Sequence, residues 1–244
     1  MDKFFFYKRI FQNILINIFK FKFSFLKLFP NYYIKPNLEK IETKRLFIVS
    51  SCLNPNNLIN QDRITQTIEG LQSIKKNYPD SFIVFLENSI LTNSQELQII
   101  ANLDLYINYF DDTKIQNSNL HYNKGVPQFL MFLKFLIQNF PLINFEFIHF
   151  MSARYKITEK INDNFIQNGV NFKFNLQTKN VSTRHFIFKN SKVKIVIKIV
   201  KYSYFFALLG CSVEDTIFLF TKKYNKLLKL FVSGYVSGIQ FISE

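Results

Sequence analysis

From Arg45 onward, short apolar runs alternate with amphipathic stretches, and polar side chains collect where the apolar runs end. Leu46 to Val49 is a run of β-formers that closes in the small residues Ser50 and Ser51. A polar loop with a proline, Asn54-Pro-Asn-Asn57, comes next. Ile64, Ile68, Leu71 and Ile74 then recur three and four apart, which predicts a helix over about 62–78, and Pro79-Asp80 breaks it. Phe82 to Leu86 is continuously apolar, as strands are when both faces of a parallel sheet are covered, and it ends in Glu87-Asn88-Ser89. Strand, helix and strand make a βαβ unit. Ligands of open α/β sheets bind just outside the carboxyl ends of the strands, so Ser50, Ser51, Glu87 and Ser89 are the first site candidates.

The alternation continues downstream. Asn93-Ser94 is positioned to cap a short helix through Ile100. Leu103 to Phe110 reads as a third strand, closed by Asp111-Asp112. After a polar loop, Val126-Pro127 opens an apolar helix over Phe129 to Phe140. Lys124-Gly125 at that helix start can meet a phosphate, because free amides and the helix dipole favour anions there. Phe145 to Phe150 is a fourth strand that runs into Met151-Ser-Ala-Arg-Tyr155. A short helix is expected over 159–165, followed by strands over 170–176 and 181–188 added antiparallel. The β-branched and aromatic run from Lys192 to Leu209 fits either strand or helix, and Lys192, Lys194, Lys198 and Lys201 argue against a membrane span. Ser212-Val-Glu-Asp215 reads as a cap for a helix over 216–228, and a final apolar turn holds Phe241-Ile242.

Ahead of this domain the pattern differs. Residues 1–29 are aromatic and basic, with Lys3, Lys8, Arg9, Lys20, Lys22 and Lys27 against the single acid Asp2. Gln12, Asn13, Asn17 and Lys20 interrupt the apolar stretch, so it does not suit a spanning helix. It suits an amphipathic helical extension lying in the membrane interface, or a helix packed on the domain. Residues 30–44, with Pro30 and Pro36, form a linker, and 45–244 form one α/β domain.

Composition sharpens this division. The chain has 244 residues, a net charge of +14, and 31 Phe with no Trp. The charge suits anionic partners, namely nucleotide phosphates, a membrane surface or nucleic acid, and compositional bias spread over a solvated surface explains it equally well. Two cysteines, Cys52 and Cys211, give no disulfide framework and fit a reducing compartment. His121, His149 and His185 make no zinc spacing, and His149 sits inside an apolar strand as a core histidine would. No P-loop, GxGxxG or GxSxG is present.

Several short motifs occur in one order: Arg63-x-x-Gln66-Thr67, Glu87-Asn-Ser89, Lys124-Gly125, Ser152-Ala-Arg-Tyr155, Ser182-Thr-Arg184 and Val232-Ser-Gly-Tyr-Val-Ser-Gly238. Together, over Arg45 to Glu244, they resemble a group of bacterial and viral glycosyltransferase-like proteins near those of lipopolysaccharide and capsule clusters. The resemblance implies a GT-A-like, Rossmann-like fold: a mostly parallel sheet flanked by helices that binds a nucleotide-sugar. Lys124-Gly125 is similar to the donor-binding Lys-Gly element of inverting glycosyltransferases. Family members carry Gly where this chain has Ala153, and the stretch 192–210 has no counterpart. The Asp-x-Asp metal signature is absent from the fourth strand, and Asp111-Asp112 lies one strand earlier.

The implied activity transfers a sugar from a nucleotide-sugar donor to a cell-surface glycan or lipid-linked acceptor, with residues 1–29 holding the protein at the inner, cytoplasmic face of the membrane. Such transfer must neutralise a leaving diphosphate, by Mg²⁺ or Mn²⁺ or by cationic side chains. Arg154 and Lys124 are the candidates for the diphosphate, supported by Gly125, Ser152 and Tyr155, although Arg154 also suits a structural ion pair. Ser51, Glu87, Ser89, Arg63 and Gln66 are candidates for the nucleoside, and Glu87 also suits a helix cap. Asp111, Asp112 and Glu214 are the candidate catalytic acids or bases, with Asp112 the candidate metal ligand. Solvation explains the first two equally well, and capping explains Glu214. A non-catalytic basic protein on membrane or nucleic acid is the alternative. Nucleic acid is the weaker expectation, because the interior motifs mix both signs of charge.

Overall fold

The computed structural model describes residues 43–54, 61–119, 125–139, 145–166, 170–175, 180–221, 226–227, 232–236 and 240–243. The expectations for residues 1–29, for most of the linker and for Lys124 lie outside the described residues. In chain order the elements are β1 (Arg45–Ser50), α1 (Gln61–Asn77), β2 (Ser81–Glu87), α2 (Asn93–Ile100), β3 (Leu105–Asn108) and α3 (Thr113–Asn119). Next come α4 (Gly125–Asn139), β4 (Phe147–Ser152), β5 (Tyr155–Ile157), β6 (Val170–Asn175), β7 (Asn180–Lys189) and α5 (Val193–Leu208). The last are α6 (Val213–Thr221), β8 (Lys226–Leu227), β9 (Val232–Val236) and β10 (Gln240–Ser243).

Seven strands form one sheet in the order β3-β2-β1-β4-β7-β6-β8. β1 runs parallel to both β2 and β4, β2 to β3, and β6 to β8. β7 runs antiparallel to β4 and β6. The result is the expected α/β architecture, a mostly parallel sheet flanked by helices with antiparallel additions on one side. All of β1 is buried, as the central strand of a covered parallel sheet must be. A part of the phenylalanine excess has a structural use. Phe132 of α4 packs on Phe150 at 4.4 Å between ring centroids, Phe150 on Phe186 at 5.0 Å, and Phe186 on Phe172 at 4.7 Å. Among the described residues no helix is long and apolar enough to cross a membrane.

Several local expectations are corrected. The ambiguous run 192–209 is helix α5, which buries Val193, Val196, Val200, Ser203 and Ala207 while Lys194 and Lys198 stay exposed. That three-four spacing, not β-propensity, decides the outcome. The helix closes on Gly210 at φ 90°, with Gly210 N donating to Ala207 O at 3.1 Å and Cys211 N to Phe206 O at 3.0 Å. Over 159–165 only a single 3₁₀ turn forms, Asp163–Phe165. The helix expected over 216–228 ends at Thr221, and Lys226–Leu227 instead pairs with β6. Thr92, not Asn93 or Ser94, caps α2 through a capping box with Gln95. The final apolar turn is a strand, β10, which joins β9 and β5 in a second sheet.

Two glycines let the segment after β4 pass between α1 and β9. A Cβ on Gly70 would lie 2.7 Å from Ala153 O and 2.8 Å from Tyr155 O. A Cβ on Gly234 would collide with Arg154 O and come within 2.6 Å of the Tyr155 ring. Ile157 N donates to Ser73 Oγ at 2.8 Å, and Asn77 Nδ2 donates to Ile157 O at 3.0 Å, which anchors β5 to α1.

At the opposite, amino end of the sheet a polar chain crosses the core. Asp163 pairs with Arg45, Arg45 Nη1 lies 2.9 Å from His149 Nε2, and His149 Nδ1 lies 3.1 Å from His185 Nε2. A guanidinium only donates, so His149 Nε2 accepts and its proton sits on Nδ1, directed at His185. Phe47 stacks on His149 at 4.0 Å. His149 is thus a core histidine with partners on both nitrogens. Burial holds it well below the usual imidazole value, with His185 and Arg45 adding to the effect, and burial pushes the His185 pKa down to about 3.

Two outcomes follow from this packing. Unfolded histidines gain a proton near pH 6.5 while the folded pair stays neutral, so stability is fully present above about pH 6.5 and falls as pH drops toward 5. His185→Leu should flatten the dependence of unfolding free energy between pH 5 and 6.5 by up to about 1.4 kcal/mol per pH unit. An unchanged slope would contradict the neutral-pair account. Gly70→Ala and Gly234→Ala should each cost about 1–3 kcal/mol in denaturant unfolding through overpacking, although alanine ordinarily suits a helix or strand better than glycine.

Candidate functional site

The carboxyl ends of β2, β1 and β4 meet at one edge. Ser50 stands beside Leu86 and Ser152 in register, Ser51 N donates to Leu86 O at 2.8 Å, and Ala153 N donates to Ser50 O at 3.0 Å. Ser50, Ser51, Ser89 and Ser152 are all brought there, and all are buried. Glu87 fastens the edge together. Its Oε1 accepts from Leu53 N at 3.1 Å, Asn88 N at 3.0 Å, Ser89 N at 2.9 Å and Ser89 Oγ at 2.6 Å. Asn54 adds to this, donating from its backbone to Ser89 Oγ at 3.0 Å and from Nδ2 to Ile90 O at 2.7 Å and Gln95 Oε1 at 3.0 Å. Burial raises the Glu87 pKa, and those hydrogen bonds pull the other way. Glu87 is fully buried, with Oε1 spent on the chain and Oε2 buried without a hydrogen-bond partner among the described residues.

Arg63 and Arg154 come together from different elements. Arg63, in the first turn of α1, donates from Nη1 to Cys52 O at 2.9 Å, and Arg154 follows β4. Burial lowers the Arg154 pKa first, and the positive charge of Arg63 lowers it further, while Tyr155 and Cys52 act in the opposite sense. Arg154 Nη1 is buried and meets no acceptor among the described residues. Gln66, one turn along α1 from Arg63 and one turn before Gly70, has its Oε1 buried and likewise unpartnered among the described residues. The Tyr155 ring is buried, with the Arg184 guanidinium 5.8 Å from its centroid.

Helix α4 reaches the same edge. Gln128, in its first turn, donates to Ser152 Oγ at 3.2 Å, so the helix start at Gly125 stands at the end of β4. Gln128 and Arg184 were not singled out by the sequence reading. Arg184 had a visible signal in Ser182-Thr-Arg184, whereas Gln128 is recognisable only as one turn beyond Gly125. Glu214 arrives from the side of β7. Its Oε1 accepts from Thr183 Oγ1 at 2.8 Å, and Ser212 Oγ lies 3.4 Å from its Oε2. The register that pairs Met151 with His185 sets Thr183 just past the end of β4.

The two adjacent aspartates follow the edge strand β3. Asp111 is exposed. Asp112 Oδ1 caps α3, accepting from Lys114 N at 3.0 Å and Ile115 N at 3.1 Å, and its Oδ2 pairs with Lys134 of α4. Both Asp112 oxygens are thus engaged within the chain. Among the described residues no group of three His, Cys, Asp or Glu side chains could hold a metal ion.

No protein-family model matches the sequence, and no curated protein matches it either. Solved structures match at the level of fold. The WbbM bifunctional glycosyltransferase, in its apo structure, has a TM-score of 0.51 at 11% identity, over 81% of this chain and 40% of its own. The galactosyltransferase LgtC in complex with donor and acceptor sugar analogs gives 0.49 at 8% identity, over 71% and 69%. The PaToxG glycosyltransferase gives 0.45 at 11%, over 74% and 69%. The chain thus spans about 40% of the length of WbbM, and the likeness is one of fold. The sheet described above, with its parallel centre and antiparallel side, is therefore a GT-A-like α/β fold.

Proposed function

We propose that this protein is a glycosyltransferase that takes a sugar from a nucleotide-sugar donor and transfers it to a cell-surface glycan or lipid-linked acceptor. One observation carries the reading. Arg154 Nη1 is buried without an acceptor among the described residues, beside the like charge of Arg63, at the carboxyl end of a central strand. A buried cation in that state is costly unless an anion joins it. A donor diphosphate supplies the anion, and guanidiniums supply forked donors for its oxygens. Arg63, Arg154 and the α4 start at Gly125, with Lys124 before it, hold the diphosphate. Ser51, Ser89, Gln66 and the loops fixed by Glu87 shape the nucleoside pocket, while Ser152 and Tyr155 line its floor. Glu214 is the carboxylate set to take the acceptor hydroxyl proton as the new bond forms, and Thr183 orients it. Positioning and charge neutralisation perform the transfer, since departure of the diphosphate is the step that accumulates charge.

Thermal unfolding of the full chain against UDP-, GDP-, CMP- and dTDP-sugars, each with and without Mn²⁺, tests the donor site. A donor at 100 times its Kd stabilises by about 2.7 kcal/mol, which is a Tm rise of roughly 5–10 °C for a chain of this size. One nucleotide class should give that rise, and no rise from any class would sink the reading and favour a non-catalytic binding protein.

Arg154→Met should weaken the donor about tenfold to 100-fold and leave the ligand-free Tm unchanged or higher, because it removes a half-buried charge that lies beside Arg63 with Nη1 unpartnered among the described residues. A ligand-free loss above about 2 kcal/mol would instead make Arg154 a structural ion-pair partner. Glu214→Gln should keep donor affinity and slow transfer roughly 100-fold or more. Equal transfer rates would remove Glu214 from the chemistry.

A further inference from the structure

Helix α5 has two faces. Val193, Val196, Val200, Ser203 and Ala207 pack inward against the domain. The opposite face carries Lys194, Lys198, Lys201, Phe205 and Leu208, spaced by four, three, four and three. Along the helix this face changes character. Its first half is basic, with Lys194 and Lys198 exposed and Lys198 Nζ 6.0 Å from the Tyr202 ring centroid. Its last turn is apolar, with Leu208 42% and Leu209 52% exposed. No Asp or Glu occurs anywhere between Asp163 and Glu214.

We propose that this outward face of α5 docks on an anionic lipid surface, with Leu208 and Leu209 entering the interface and Lys194, Lys198 and Lys201 reaching lipid phosphates. Lysines along one helix face with bulky apolar groups beside them are the chemistry of interfacial helices, and flexible lysine stems let charge reach headgroups while the helix lies flat. Lys194 and Leu208 are 14 residues apart, about 21 Å along the axis, so the face spans several headgroups. Exposed leucines suit acyl chains better than nucleic acid, whose bases call for aromatic platforms. The docked end also lies close to the site: Gly210 turns the chain and Glu214 follows five residues after Leu209. If the proposed function holds, an acceptor embedded in that surface would be presented directly to Glu214.

The test is flotation of the full chain with vesicles of phosphatidylcholine alone and with added phosphatidylglycerol. It needs no sugar donor, so its outcome is separate from that of the donor-site experiment. Wild type should float with the anionic vesicles and much less with the neutral ones. Lys194→Gln/Lys198→Gln/Lys201→Gln should lower the affinity for anionic vesicles roughly 100-fold. Leu208→Ser/Leu209→Ser should lower it at least tenfold, and both variants should keep the wild-type Tm. No flotation of wild type overturns the proposal. So does flotation equal to wild type in both variants, which would assign binding to another part of the chain such as residues 1–29. A lysine-dependent affinity for single-stranded RNA without vesicle binding overturns it as well.

Discussion

Two guanidiniums held at one end of a sheet set the terms for this molecule. Arg63 comes from a helix and Arg154 from the turn after a strand, and the fold brings their charges together instead of separating them. The cost appears as a depressed Arg154 pKa and as a buried Nη1 with no acceptor among the described residues. A structure tolerates such a group when its surroundings fix it and when an anion relieves it in use. Arg45 offers the contrast. Burial lowers its pKa as well, yet Asp163, His149 and two aromatic rings surround it, so it is a structural cation.

The rest of the edge is organised to hold that arrangement still. Glu87 spends one oxygen on four donors and so locks the loops after β1 and β2 to each other. Gly70 and Gly234 clear the backbone path that carries Arg154 and Tyr155, so the segment is gripped from two sides. The Arg45–His149–His185 chain ties β1, β4 and β7 together from the amino end of β1 through their middle, which helps hold the register that sets Thr183 at the edge. Such rigidity is what the proposed donor site, assembled from separate elements, requires.

Much of this was legible in the sequence, because it rests on local pattern. The βαβ unit from Arg45 to Glu87 and the polar residues at the strand ends follow from periodicity alone. The antiparallel strands β6 and β7 were equally readable. Helix α5 was ambiguous because its β-branched residues favour a strand while their three-four spacing favours a helix, and the spacing wins. The end of α6 and the pairing of β8 depend on long-range contacts that no local signal carries. Among site residues, Glu87 was visible as an acid at a strand end, but its commitment to backbone amides was not. That Asp112 is engaged within the chain was not visible, because its partner Lys134 lies 22 positions away on another helix. Gln128 was hidden for the same reason, being tied to Ser152 through packing.

The most direct measurement is a crystal structure of the protein with a nucleoside diphosphate. The account predicts diphosphate oxygens between Arg63 and Arg154, with one within about 3 Å of Arg154 Nη1. A nucleotide bound away from both arginines, or Arg154 Nη1 found against a carboxylate of the chain itself, would contradict it.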